Sequence, residues 1–177
     1  QNQIDSVWSL TDDEYFVRES TSNIIWHTEG IFNFSGESPL ILIHDIKERT
    51  ESEGATQIFI YSPNADYLFA HSTAALEKLN LNIQEARIFT SSHDYCMDTF
   101  TVLETTGLPV GNNLKRQEEI IALMKKYLTF DNKALRLPKF HQTRKEKYFA
   151  KSIEVAFINP KNKNYSMLEI NCPDHPG

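Results

Sequence analysis

The stretch "IFIYSPNADYLFAHSTAALEKLNLNIQEARIFTSSHDYCMDTFTVLE", residues 58–104, decides the fold. An apolar run ends at Ser62-Pro63-Asn64-Ala65-Asp66, a turn composition, and then the period changes. Leu68, Phe69, Ser72, Ala75, Leu76 and Leu79 recur at i, i+3 and i+4, which predicts a helix with one face against a sheet. Asn64 or Asp66 is placed to cap it and Asn80 to end it. "LNIQEARIFT" (81–90) alternates as a strand, but its phase slips between Ile83 and Ala86, which predicts a bulge. Ser91-Ser92-His93-Asp94 turns the chain into "YCMDTFTVLE" (95–104), so the two strands form a hairpin.

After Gly111-Asn112-Asn113, "LKRQEEIIALMKKYLTF" (114–130) reads as a second amphipathic helix. Gln117, Ile120, Ile121, Met124, Tyr127 and Leu128 form its stripe, and Lys125 and Lys126 come late, where the helix dipole favours them. "DNKALRLPKFHQTRKEKYFAK" (131–151) is a polar, basic linker, followed by two β-type runs, "SIEVAFIN" (152–159) and "NYSMLEI" (164–170). From Thr56 the order is β-α-β-β-α-β and then a new β. That is the α+β, ferredoxin-like βαββαβ arrangement, an antiparallel sheet with two helices on one face. Stripes and alternation together predict a core of Ile58, Ile60, Leu68, Leu76, Leu79, Ile83, Ile88, Phe100, Val102, Ile120, Ile121 and Met124.

Ahead of this unit, "SLTDDEYFVREST" (9–21) and "SNIIWHTEGIFNF" (22–34) read as a helical leader with Ser22 or Asn23 as a cap. "PLILIHDI" (39–46) is an extra strand, read as pairing with the strand at 56 through a long exposed turn formed by the charged connector "KERTESEGA". At the other end, "MLEINCPDHPG" (167–177) repeats the order apolar run, proline, polar turn, so that Pro173-Asp174 aligns with Pro63-Asn64 roughly 110 positions earlier. The expected organisation is a helical leader or connector over 1–38 and a first domain over 39–160 that includes the linker 131–151. Residues 161–177 are expected to be the first strand and loop of a truncated second copy.

An apolar fraction of 40% and 24% charged residues in 177 suit one or two globular domains. No run approaches 18 consecutive apolar residues, and the start is not basic-then-apolar. Neither membrane association nor export is expected, and the cytoplasm is the default compartment. Cys96 and Cys172 read as two reduced thiols, Cys96 packed in a strand. Residues 1–112 carry 5 basic against 17 acidic groups, whereas 113–163 carry 13 against 5. The basic section holds no nucleic-acid module, so no nucleic-acid partner is expected; it reads as a solvated linker or as one folding back through Phe140, Tyr148 and Phe149.

Nucleotidyl transfer needs carboxylates on a metal and backbone donors around phosphates. Six glycines leave no Gly-rich cradle, and no Gly-Ser loop precedes an Asp-x-Asp pair. Two His-Asp dipeptides, His44-Asp45 and His93-Asp94, are read as solvent-facing turn residues rather than metal ligands. His27 falls among helical apolar residues, His71 in a helix's exposed sector, His141 in the linker and His175 in the terminal turn; no pair has ligand spacing on a helix. Asp12-Asp13-Glu14 reads as a helix start. No catalytic residue, metal ligand or cofactor is therefore expected in this chain.

The whole arrangement resembles one family. "LNLNIQEARIFT" (79–90) and "MDTFTVLE" (97–104) are similar to the first ACT domain of the bacterial PII uridylyltransferase/uridylyl-removing enzymes. "DEYFVREST" (13–21) and "IIWHTEGI" (24–31) resemble the stretch joining that family's HD domain to its ACT pair, and "MLEINCPDHPG" resembles the opening of its second ACT domain. The resemblance implies a nitrogen sensor that uridylylates a tyrosine of PII when glutamine is scarce and hydrolyses the modification when glutamine is abundant. It places both reactions, with Mg²⁺ or Mn²⁺, in domains outside this segment, and glutamine sensing in the ACT pair. The second function class is an ACT-type interaction or assembly module of another amino-acid-responsive regulator.

A turn feeding a helix N-terminus presents N–H groups to a ligand carboxylate, which suits amino-acid binding. The resemblance implies an effector loop carrying an acid and ending in Pro-Gly. Asp174, His175, Pro176 and Gly177 match that pattern. In the first copy the loop is Asn64, Ala65, Asp66, Tyr67 and Leu68, with Asn64 in place of the acid and Tyr67 in place of the glycine. Tyr67 would crowd a ligand, so weak or absent glutamine binding is expected of this chain. Binding through the paired second ACT domain, self-association through ACT domains and contact with PII through the parent enzyme are the other partnerships implied.

Overall fold

The computed structural model describes residues 8–9, 11, 13–46, 54–129, 153–159 and 166–172. The chain divides into two compact units, Gln1–Leu135 and Arg136–Gly177. In the first, the elements are α1 (Asp13–Arg18), α2 (Thr21–Phe32), β1 (Leu40–Ile46), β2 (Ala55–Pro63), α3 (Leu68–Lys78), β3 (Leu81–Arg87), β4 (Tyr95–Glu104) and α4 (Leu114–Thr129). The second holds a hairpin, β5 (Glu154–Ile158) with β6 (Met167–Asn171). The expected linker 131–151 and the loop at 174–177 lie outside the described residues.

The four strands form one antiparallel sheet in the order β1-β2-β4-β3. The fold is thus the α+β, ferredoxin-like one that was expected, with α3 and α4 on one face. Ile58 and Ile60 of β2 and Phe100 and Val102 of β4 point to that side and meet Ala75, Leu76, Leu79, Ile120 and Met124. The slip in β3 is a register shift between Ile83 and Glu85. Arg116, near the start of α4, ties this layer together: it donates to Glu104 at 2.8 and 3.1 Å, to the Leu79 carbonyl at 2.7 Å and to Glu119 at 2.7 Å.

One strand differs from the expected order. Residues 154–158 do not join β2; the extra strand β1 already fills that edge, with Leu40 opposite Tyr61 and Ile46 opposite Ala55. Residues 154–158 instead pair with 167–171, sequential neighbours joined by a short connection. The two hairpins share a frame, since Tyr61, opposite Leu40, lies two residues before Pro63 and Asn171, opposite Glu154, lies two before Pro173. In the second hairpin Val155 and Phe157 face the same side as Ile170 and Leu168, and all four are exposed.

The leader is a third layer. Tyr15, Ile31, Phe59, Phe89 and Met97 are buried together on the sheet face opposite α3 and α4, with Phe16, Ile24, Trp26, Leu40, Leu42 and Tyr61 around them. The α2 cap is Ser20 rather than Ser22 or Asn23: its extended backbone (φ −72°, ψ 151°) lets its hydroxyl accept from the Asn23 N–H at 3.2 Å. Gly30 marks where α2 approaches β1 most closely, because a Cβ there would collide with the Leu42 side chain.

Burial corrects three sequence readings. Ile83 and Ile88, expected in the core, are each 39% exposed, because β3 is the sheet's edge and its bulge breaks the inward alternation. His71, expected on an exposed sector, is buried on α3. His44-Asp45 is not a solvent-facing turn but part of β1, where His44 stacks on Trp26 with centroids 3.7 Å apart and Asp45 accepts from the Thr56 hydroxyl. We expect Leu76→Ala, which empties a fully buried site, to cost ~2–5 kcal/mol, and Ile83→Ala at the edge to cost under about 1 kcal/mol. Urea unfolding followed by far-ultraviolet circular dichroism measures both; equal losses would contradict this packing.

Candidate functional site

The loop between β2 and α3 holds the five first-copy residues, Asn64, Ala65, Asp66, Tyr67 and Leu68. Asn64 does not cap α3, and neither does Asp66: the N-cap position is Tyr67, and no side chain caps the helix. The Leu68 N–H donates to the Ala65 carbonyl at 3.2 Å, and no side chain caps the N–H groups of Phe69 and Ala70 at the positive end of the helix dipole. Asn64 is fully engaged elsewhere. Its backbone N–H donates to the Asp94 carbonyl at 2.7 Å, its Nδ2 donates to Asp94 Oδ1 at 2.8 Å, and its Oδ1 accepts from the Cys96 thiol at 3.3 Å. The loop is therefore pinned to the β3–β4 turn, with Ala65 and Asp66 exposed and Leu68 buried.

Tyr67 adopts φ 63° and ψ 17°, the left-handed region that glycine enters without strain. Its side chain is 72% exposed, so packing does not hold it there. The backbone of the loop imposes that conformation. The tyrosine therefore stands where the backbone geometry favours glycine.

Beside this loop the inner face of β4 is polar. Cys96 pairs in register with Ser62, and Asp98 with Ile60, on the side that faces α3. Asp98 is 1% exposed; the Phe89 N–H donates to it, while its Oδ1 has no hydrogen-bond partner among the described residues. Desolvation pushes its carboxyl up to about 7, although the Phe89 bond pulls the other way. Burial, and next the nearby Asp98, push the Cys96 thiol up, so it is no activated nucleophile. Asp98 was missed in the sequence. The signal was present, since 96, 98, 100 and 102 form one inward-facing row, and a carboxylate interrupts it.

The remaining sequence candidates are scattered. His93 lies in the exposed β3–β4 turn beside Ser92, and Asp94 serves Asn64. His27 and His44 sit on the leader side of the sheet. Among the described residues, no group of three His, Cys, Asp or Glu side chains is placed to hold a metal ion, and no helix is long and apolar enough to cross a membrane. Asp174, His175, Pro176 and Gly177 lie outside the described residues.

Two outcomes follow from this geometry. Tyr67→Gly leaves the protein at least as stable as the wild type, whereas Tyr67→Val loses about 1–2 kcal/mol, because a β-branched residue is the worst occupant of a left-handed position. Thermal melts of the two variants read the difference. Asp98 binds its proton more tightly in the folded state than at its ordinary 3.8, so its contribution to stability is full below about pH 4 and is lost as pH rises to about 7. Asp98→Asn should remove that fall, on the order of 2–4 kcal/mol at pH 8, in the difference between variant and wild-type profiles. Parallel profiles would contradict a buried carboxylate.

Residues 1–30 match the family described as "Uridylyltransferase GlnD fifth domain". The chain is 39% identical to a bifunctional uridylyltransferase/uridylyl-removing enzyme of Pseudomonas fluorescens, over 99% of this chain and 20% of that protein. It is also 39% identical to those of Stutzerimonas stutzeri, over 98% and 19%, and Azotobacter vinelandii, over 97% and 19%. No solved structure matches. The chain spans about a fifth of the length of these curated relatives. Along nearly all of its own length the chain is similar to one segment of the bifunctional uridylyltransferase/uridylyl-removing enzymes.

Proposed function

We propose that this chain is the regulatory ACT segment of a cytoplasmic enzyme that attaches UMP to the nitrogen-signalling protein PII, removes it again, and sets the balance by glutamine. The observation that carries this reading is the match over 99% of the chain to enzymes whose names state both activities. The ferredoxin-like sheet with an uncapped helix start after β2 supports an amino-acid-responsive role for the segment. In this reading the transfer and hydrolysis chemistry, with its Mg²⁺ or Mn²⁺, belongs to other parts of the protein, and this chain contributes no catalytic residue.

The first-copy loop, Asn64 to Leu68, serves this role as a packed element more than as a complete site. Asn64 has its hydrogen-bonding groups committed to Asp94 and Cys96, and Tyr67 occupies the position where a small residue would let a ligand approach. Glutamine binding then needs a second ACT surface, within the protein or from another copy. An assembly role without an effector is the competing reading, and the committed Asn64 favours it for this one loop.

The test uses the full-length protein. UMP transfer to PII from UTP with Mg²⁺ should fall as glutamine is added, and replacing the segment equivalent to this chain by a flexible linker should leave transfer measurable but insensitive to glutamine. The chain alone should neither transfer nor remove UMP, and glutamine should raise its melting temperature far less than that of the full protein; binding to the folded state stabilises by roughly 2.7 kcal/mol at a hundredfold excess over Kd. An unchanged glutamine response after the replacement would overturn the reading.

A further inference from the structure

The two faces of the sheet are built differently. Away from the Ser62, Cys96 and Asp98 patch beside the loop, the face under α3 and α4 is aliphatic and aromatic, with Ile58, Ile60, Leu76, Phe100, Ile120 and Met124 all fully buried. The seam under the leader mixes aromatic rings with polar groups. Tyr15 Oη and His27 Nδ1 are 2.7 Å apart, His27 stacks on Phe59 at 3.7 Å, and Asn23 Nδ2 donates to Glu19 Oε2 at 2.9 Å. Glu19, whose side chain is fully buried in the turn between α1 and α2, reaches across to Arg87 on β3, with Oε1 and Nε 3.2 Å apart. That contact has ion-pair distance, yet neither atom finds a well-aligned hydrogen bond.

Five buried side-chain atoms lack a hydrogen-bond partner among the described residues, and four of them belong to this seam: Glu19 Oε1, His27 Nε2, Arg87 Nε and Thr99 Oγ1. Thr99 alternates with Met97 on the leader side of β4 and pairs with Arg87. Each such atom loses water on burial without full replacement, and regains it when the seam opens. The opposite face carries only Asp98 of this kind. The fold therefore concentrates its uncompensated polar burial in one layer.

We propose that the leader is a detachable layer, α1 and α2 undocking from the sheet as a unit while β1–β4, α3 and α4 stay folded, with the Glu19–Arg87 pair as the latch. Sub-global opening of this kind draws on the least well-satisfied part of a structure. Acid acts in the same direction. The His27 imidazole faces Tyr15 of α1, His44 of β1 and Arg87 of β3, and burial, then His44 and Arg87, lower its pKa to about 3. The docked state thus holds the neutral ring, and protonation below its ordinary 6.5 favours undocking. The undocking stands on the packing alone; its use as a relay from the sheet to the leader rests on the regulatory reading above.

Native-state hydrogen exchange on the whole chain, without amino acid, tests the latch independently of any effector. Amides of α2 should exchange through an opening at least tenfold more populated than the one that exposes amides of β2 and β4. Both tryptophans, Trp8 and Trp26, lie in the leader, so their fluorescence reports the same opening. Arg87→Met leaves Glu19 buried without its cation and should raise α2 opening a further tenfold with β2 and β4 unchanged. Glu19→Leu combined with Arg87→Met removes both charges and should restore wild-type protection or better. Gly30→Val, a wedge against Leu42, should open the leader without touching the latch. A single opening free energy shared by α2, β2 and β4 in the wild type, or equal loss of protection in all three on Arg87→Met, would overturn the proposal.

Discussion

Everything in the first unit depends on the antiparallel pairing of β2 with β4. Ile58, Phe59 and Ile60 are consecutive and all fully buried, which is possible in a strand only when both faces of the sheet are covered. Phe59 points to the leader and its two neighbours to α3 and α4. A bare βαββα unit would expose Phe59, Met97 and Tyr61 as a contiguous apolar underside. The leader thus covers apolar surface that the sheet would otherwise show to water, while the unpaired polar atoms of its seat oppose that gain.

The two buried titratable groups nearest the central strands show what that asymmetry does. Asp98 faces α3 and is pushed towards neutrality by burial; His27 faces the underside of the sheet and is also held neutral by burial. Neutral forms are favoured in both cases for one reason, the desolvation of charge. The linkage has opposite signs. Raising pH through the range below neutrality costs stability at Asp98 and gains it at His27, so the two contributions oppose each other across the sheet between about pH 4 and 6.5.

Much of the fold was legible because its signals are local. The stripe in α3, the phase slip in β3 and the inward row of β4 are each written in fewer than a dozen residues, and the structure has them all. What escaped is non-local. That "PLILIHDI" pairs with the strand at 56 was legible in the charged connector between them, and the register bears it out; that this pairing fills the edge expected for residues 154–158 was not. His71 is polar yet buried, and Ile83 is apolar yet exposed, because edge position and neighbouring layers, not side-chain type, settle burial at those sites. At the loop, the substitution of tyrosine for glycine was visible at 67, but its meaning came from the backbone: φ 63° is imposed whatever residue sits there. The pinning of Asn64 by Asp94 and Cys96, 30 and 32 residues away, left no trace in composition.

β2 is the one element that touches every feature with a regulatory reading. Its C-terminal end runs into the loop at Asn64, Ile60 lies opposite Asp98, and Phe59 carries the stacked ring of His27. Side chains on successive strand residues point to opposite faces, so a displacement of β2 at the loop cannot be confined to the side where it starts. A shift that eases the strain at Tyr67 would move Ile60, opposite the buried Asp98 with its one unpaired oxygen, against the layer of α3 and α4, and Phe59 against a seam that holds four unpaired polar atoms. The packed side resists, because its contacts have no alternative arrangement of similar energy. The leader side yields, because its polar atoms gain water on opening. Under the proposed undocking, a displacement at the loop would therefore find its softer exit on the leader side, where four of the five unpaired buried atoms of the described residues lie.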